Sequence, residues 1–288
     1  KLGDMVNNEF FSQDFSRVAS QNAKNVIQQR LREEERKSLF NYYSEKKYEI
    51  ITGTVQRTGN TNGNINVNIG RCDAVLTEIE QVKGEQLEPT QKVKVFILDV
   101  KENSKGPRIT VSRTHPGLVK RLFEMQVTEV ADGTVEIKEI AREAGSRTKM
   151  AVYSNDSNVD AVGACVGVNG ERVNAVVKEL NGEKIDIIEW NENPALLIEN
   201  ALNPAQVICV IAEEEVKEAQ VIVPDSQLSL AIGKVGQNAR LAAKLTGYKI
   251  DIKSETEARN SGLFDQIIPG DSEEEVISYE DDEVSEEE

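Results

Sequence analysis

Gly233-Lys234-Val235-Gly236 repeats, 66 residues downstream, the pattern of Gly167-Val168-Asn169-Gly170. An amphipathic stretch follows each copy, residues 171–180 in the first and 237–245 in the second. A strand comes next: Gly182-Glu183-Lys184-Ile185-Asp186-Ile187, then Gly247-Tyr248-Lys249-Ile250-Asp251-Ile252. The strands lie 65 residues apart, so the copies differ by one residue within the helix. Such self-similarity marks a duplicated unit.

Outward from each turn the pattern continues. An apolar helix precedes it, at 159–166 and 227–232. Two strands come earlier, at 134–140 and 148–153, then at 207–212 and 218–223. A leading helix opens each copy, at 117–124 and 195–201. The order is helix, two strands, two helices, strand. At the G-x-x-G corner one helix ends, the chain reverses and another begins. Glycine supplies the unusual backbone angles and removes a Cβ that would block an anion. The new helix directs unpaired N–H groups and a partial positive charge at that anion.

The candidate binding residues are therefore Gly167, Val168, Asn169 and Gly170, with Arg172 behind them and Arg147 and Lys149 on a preceding strand. In the second copy they are Gly233, Lys234, Val235 and Gly236, with Gln237, Asn238, Arg240 and Lys244. Arg240 and Lys244 also fit as plain solvated helix residues. Lys234 against Asn169 makes the second copy the stronger expected phosphate attractor. Trp190, after the first repeat strand, suits either base stacking or packing between units. The short Asn191-Glu192-Asn193-Pro194 link suggests that the two units pack as one body.

These units resemble the KH fold of the second type, whose G-x-x-G loop clamps about four nucleotides beside an apolar groove that receives the bases. Upstream, Gly53-x-Val55, Ile69-Gly70, Ala74-Val75-Leu76 and Ile109-Thr110-Val111-Ser112-Arg113 resemble an S1-type OB barrel of five short strands. That segment holds 11 basic and 8 acidic residues. Its second and third strands offer Asn62, Asn64, Asn66 and Asn68 where an RNA-binding barrel usually shows aromatics. Weak RNA contact, or a packing role, is expected of it.

A helix at 15–40, with Phe15, Val18, Val26, Ile27, Leu31 and Leu39 near helical spacing, precedes the barrel. Its charged run, Arg30 to Lys37, reads as a solvated face, compatible with a connector to a further domain. The chain starts Lys1-Leu2-Gly3-Asp4, without an initiator Met or a signal peptide, and reads as a piece with its natural beginning removed.

Net charge is −16, yet residues 1–253 carry 33 basic and 36 acidic side chains. One basic and 14 acidic residues fall in 254–288, so an acidic tail dominates the total. Any nucleic-acid site is a local patch. The tail, without periodicity from Asp271 on, is expected to be disordered and to compete with RNA for the basic surfaces. Cys72, Cys165 and Cys209 read as small buried hydrophobes of a reducing cytoplasm, and the lone His115 as a boundary residue. No motif has metal-ligand spacing or a catalytic carboxylate cluster, so neither metal, cofactor nor enzymatic activity is expected.

The expected organisation is multidomain α+β: a connector helix (1–45), a five-stranded OB-type (S1) barrel (46–114), two tandem type II KH domains (115–193 and 194–255) and a disordered acidic tail (256–288). This order, with Gly163-Ala164-Cys165-Val166-Gly167, Gly170-Glu171-Arg172-Val173 and Ala231-Ile232-Gly233-Lys234-Val235-Gly236-Gln237-Asn238-Ala239-Arg240, closely resembles the NusA family of bacterial transcription factors. The resemblance implies a monomeric cytoplasmic protein that binds nascent single-stranded RNA and modulates pausing, termination and antitermination. RNA polymerase and other Nus-type antitermination factors are the implied partners. The family's polymerase-binding head is expected to be largely missing from this chain. An RNA-processing enzyme or a ribosome-associated protein built on the same modules are the competing readings.

Overall fold

A computed structural model describes residues 17–56, 63–103 and 106–262. Asn62, Phe15 and the acidic run from Asp271 lie outside those residues. Helix α1 (Arg17–Glu45) runs five residues past the expected end. Val18, Val26, Ile27 and Leu31, which stand near helical spacing, are all more than half exposed. The C-terminal end of α1 is anchored in the barrel. There Tyr43 inserts among Val67, Ile69, Leu76 and Val95 of the barrel.

Strands β1 (Ile50–Val55), β2 (Ile65–Asn68), β3 (Asp73–Leu76), β4 (Lys92–Lys101) and β5 (Arg108–Ser112) close a barrel in the order β1-β2-β3-β5-β4. Only the β3–β5 pair is parallel. Alternation puts Val93, Val95 and Ile97 of β4 inside with Ile109 and Val111 of β5. Closure leaves no free sheet edge. Gly53 is needed because a Cβ there would overlap the side chain of Val67.

The first repeat is α2 (Pro116–Gln126), α3 (Thr128–Ala131), β6 (Val135–Glu143), β7 (Arg147–Ser154), α4 (Ala161–Val166), α5 (Glu171–Glu179) and β8 (Lys184–Glu189). The second is α6 (Pro194–Ala201), β9 (Cys209–Glu213), β10 (Glu218–Val223), α7 (Leu228–Ile232), α8 (Gln237–Thr246) and β11 (Lys249–Ser254), with α9 (Glu255–Asn260) packed after it. Both sheets have one antiparallel and one parallel pair, in the orders β6-β7-β8 and β9-β10-β11. The leading helices start alike, with proline at the first turn and a side-chain cap, His115 on Gly117 N–H and Asn193 on Ala195 N–H. His115 thus has a structural role, and its ring also stacks on Phe96 at 4.8 Å.

The two units share a core. Ala141, Ala151 and Ile188 of the first sheet pack with Ile198, Leu202, Ala219, Leu241 and Leu245 of the second unit. Trp190 joins that cluster, so its packing role is the one the structure displays. The barrel is fastened to the first unit as well. Phe96 enters the core formed by Leu118, Leu122 and Phe123. The buried pair Arg113–Glu85 adds bonds to Lys94 O, Glu179 O and Asn181 Nδ2. Among the described residues, no helix is long and apolar enough to cross a membrane.

Candidate nucleic-acid interface

The two corners have the same backbone. Gly167 has φ 75° and ψ 174°; Gly233 has 76° and 175°. Asn169 (52°, 24°) and Val235 (53°, 32°) are both left-handed, as are Gly170 (75°, 17°) and Gly236 (71°, 18°). Positive φ explains both glycines of each motif, and the first is also sterically required. A Cβ on Gly167 would come 2.8 Å from Arg172 Cγ, and one on Gly233 would come 2.8 Å from Asn238 Cβ. Neither α5 nor α8 has a side-chain cap at its N-terminus. The ends therefore remain suited to a phosphate.

Arg172 and Asn238 are equivalent across the 66-residue repeat, and both brace the corner from behind. Arg172 Nη1 donates to Ala164 O at 2.7 Å and to Glu129 at 2.9 Å. Asn238, 4% exposed, donates to Ala231 O at 3.1 Å and Leu202 O at 3.0 Å. The expectation that Asn238 contacts RNA is corrected: burial and its carbonyl partners make it a clasp on the ends of α6 and α7.

Lys149 is the second correction. The side chain is wholly buried between the units, donating to Asn203 O at 2.8 Å with Asp186 at 3.4 Å. Burial pushes its pKa down, while Asp186 opposes the shift. A unit considered alone leaves it facing outward, because the covering surface, the end of α6, comes from 54 residues away. Arg147 stays partly exposed, in a two-point pair with Asp186 at 2.6 and 2.9 Å.

The exposed members of the set are Val168, Asn169, Lys234, Val235, Arg240 and Lys244. Val168 and Val235 are 80% and 82% exposed, apolar tips on both loops. Lys234 and Lys244 belong to no ion pair among the described residues. Arg240 reaches Val235 O at 2.7 Å and Glu143 at 3.0 Å. Gln237 spans to Ser146 Oγ at 2.7 Å and Glu143 at 2.8 Å. Thus the second G-x-x-G corner sits against the β6–β7 hairpin of the first unit. Glu143, at that contact, is held below the ordinary carboxylate range by Arg240 and Gln237. Sequence reading missed it because a lone Glu after a strand carries no motif.

Half-buried apolar side chains on the helices and last strand of each unit pack against its core: Val162, Ala164, Val173, Ile185 and Ile187 in the first, Leu228, Ile250 and Ile252 in the second. KH units hold a single strand between a G-x-x-G corner and apolar side chains of the neighbouring helix and strand.

Comparison with known proteins agrees with this geometry. The NusA-like first KH domain profile matches residues 113–190, and the NusA-like second KH domain profile matches residues 194–260. The NusA N-terminal domain profile matches residues 1–37, overlapping α1. The transcription termination/antitermination protein NusA of Bacillus subtilis (strain 168) is 52% identical over 272 residues, spanning 94% of this chain and 73% of that protein. Its counterpart in Halalkalibacterium halodurans is 51% identical over 265 residues, spanning 92% and 69%. That of Thermus thermophilus is 44% identical over 280 residues, spanning 97% and 71%. With two KH units of matching corner geometry behind a closed barrel, and this identity over most of its length, the chain belongs to the NusA family.

Proposed function

We propose that this chain is an RNA-binding transcription elongation factor that holds nascent single-stranded RNA across both KH units and so modulates pausing, termination and antitermination by RNA polymerase. The observation that carries this reading is the pair of corners with one backbone geometry, joined through Gln237 and Arg240 into one surface. A shared core holds them at fixed spacing, so one strand meets both without an ordering cost between units. At about four nucleotides per unit the track takes about eight.

In this reading the loop backbones of 167–170 and 233–236 clamp phosphates. Lys234, Lys244 and Arg147 add charge, and Arg240 exchanges Glu143 for phosphate. Arg172, Asn238 and Lys149 keep the frame. RNA polymerase and other antitermination factors are the proposed protein partners, and the cytoplasm is the proposed location.

The reading is tested in a transcription assay with purified polymerase. The chain is expected to change pause duration and read-through at a terminator, and Gly167→Asp/Gly170→Asp with Gly233→Asp/Gly236→Asp to abolish the change. An effect undiminished by both loop variants contradicts the proposal.

A further inference from the structure

The two KH sheets differ in what covers them. Alternation gives each sheet a face toward its own helices and an outer face. On the outer face of the first sheet, Ala141, Ala151 and Ile188 pack with Ile198, Leu202 and Leu241 of the second unit. Lys149 stands there between Ala141 and Asp186, and it donates to Asn203 O of the second unit. The equivalent position in the second sheet is Gln220, between Ile211 and Asp251. Gln220 Oε1 is buried and has no hydrogen-bond partner among the described residues. Around it Ile211, Glu213, Glu218, Lys249 and Asp251 line a cleft of about 360 Å³.

Helix α9 closes one end of this outer face. It packs on β10 and β11, where Ala258 is 0% and Ile222 1% exposed. Gln220 lies two residues along the strand from Ile222, about 7 Å away. Gly262 follows α9 with φ 67°, a conformation that lets the chain turn. Leu263, Phe264, Asp265, Gln266, Ile267 and Ile268 come next, outside the described residues, and four of these six are apolar. Six residues reach up to about 20 Å, well beyond what the return to Gln220 needs.

We propose that residues 263–268 fold back over the outer face of the second sheet, covering Ile211 with apolar side chains and supplying the donor that Gln220 Oε1 lacks. A buried acceptor without a donor destabilises the fold, and an amide N–H of the returning segment removes that cost. Two other occupants fit less well. Residues 271–288 carry 11 acidic and no basic side chains, and Glu213, Glu218 and Asp251 at the cleft repel them. A second copy would have to offer α2 and α5, the counterparts of α6 and α8, but Phe96 and Arg113 of the barrel already occupy that side. The segment thus takes the place on the second unit that the second unit takes on the first. It caps the tandem array, whose last repeat otherwise leaves a face open.

The test uses the full chain with labelled isoleucine methyl groups, the Ile211 resonance being assigned through Ile211→Val. Phe264→Ala is expected to shift the Ile211 methyl, because the aromatic ring current is removed, and to leave Ile97 of the barrel and Ile137 of the first unit unmoved. Cys209, half-buried beside Ile222 on the same face, gives a second readout. Its alkylation by iodoacetamide, followed peptide by peptide, is expected to be several-fold faster in Phe264→Ser/Ile267→Ser.

An Ile211 methyl unmoved by Phe264→Ala overturns the proposal, and so does an unchanged Cys209 rate. A response of either reporter to Val276→Ser/Ile277→Ser in place of the Phe264 variants overturns it in favour of the acidic run. An Ile211 shift that depends on protein concentration, with a dimer in sedimentation that Ile211→Asp abolishes, overturns it in favour of a second copy. The proposal does not depend on the RNA-binding reading, and none of its reporters touches the G-x-x-G corners.

Discussion

Asn169 and Val235 occupy equivalent positions in the two corners with φ of 52° and 53°. The conformation is costly for a β-branched residue, whereas asparagine tolerates it. Val235→Asn should therefore stabilise the protein by about 1 kcal/mol and raise the thermal midpoint, and Asn169→Val should lower it by a similar amount. Differential scanning calorimetry reads both changes. Val235 is 82% exposed, so little packing is lost to obscure the first.

Lys149 and Lys234 should separate frame from contact. Lys149→Met leaves Asn203 O without its donor and removes one cation from Asp186. A loss of about 1–3 kcal/mol in stability is expected, with the salt slope of RNA binding unchanged. Lys234→Ala should leave stability alone and reduce that slope by about one. Denaturant melts and titrations at several salt concentrations, run on both variants, check the pair.

Glu143 presents a carboxylate to the second corner and occupies Arg240 and Gln237. Glu143→Gln removes the negative charge and frees Arg240 for phosphate. RNA should then bind several-fold more tightly at low salt, with the difference shrinking as salt screens it. A weaker complex would instead mean that the Glu143 clasp aligns the corner.

Acid should act through Glu183. This side chain and Arg142 are each 1% exposed, paired at 2.8 and 2.9 Å. Burial pushes the Glu183 carboxyl up, but Arg142, Thr148 and the Gly145 N–H outweigh it and hold the pKa low. A depressed folded-state value means that the contribution is fully present above the unfolded carboxylate pKa of about 4.3. It is lost as pH falls through the folded value. Stability should thus drop below about pH 4, and Glu183→Gln should flatten that limb while costing about 3–5 kcal/mol at neutral pH, because it strands a buried guanidinium. Urea unfolding from pH 3 to 7 measures both.

The duplicated units and the barrel were legible because their signals are local: glycine pairs, Lys-Ile-Asp-Ile strands and alternating apolar residues. Contacts between units were not. Lys149 and Asn238 look like surface residues until α6 and α7 close over them. The exposed stripe of α1 shows the converse, since Val26 and Ile27 have helical spacing yet are more than half exposed.

The central claim, that RNA lies on the KH corners, is tested most directly by titrating a labelled single-stranded RNA of about a dozen nucleotides at several salt concentrations. The full chain is compared with Gly233→Asp/Gly236→Asp, which places two carboxylates where phosphates should sit. Salt-dependent binding by the full chain is predicted, with a loss of at least about ten-fold in the variant, as expected when like charges replace phosphate contacts. Equal binding by both, at every salt concentration, would contradict it.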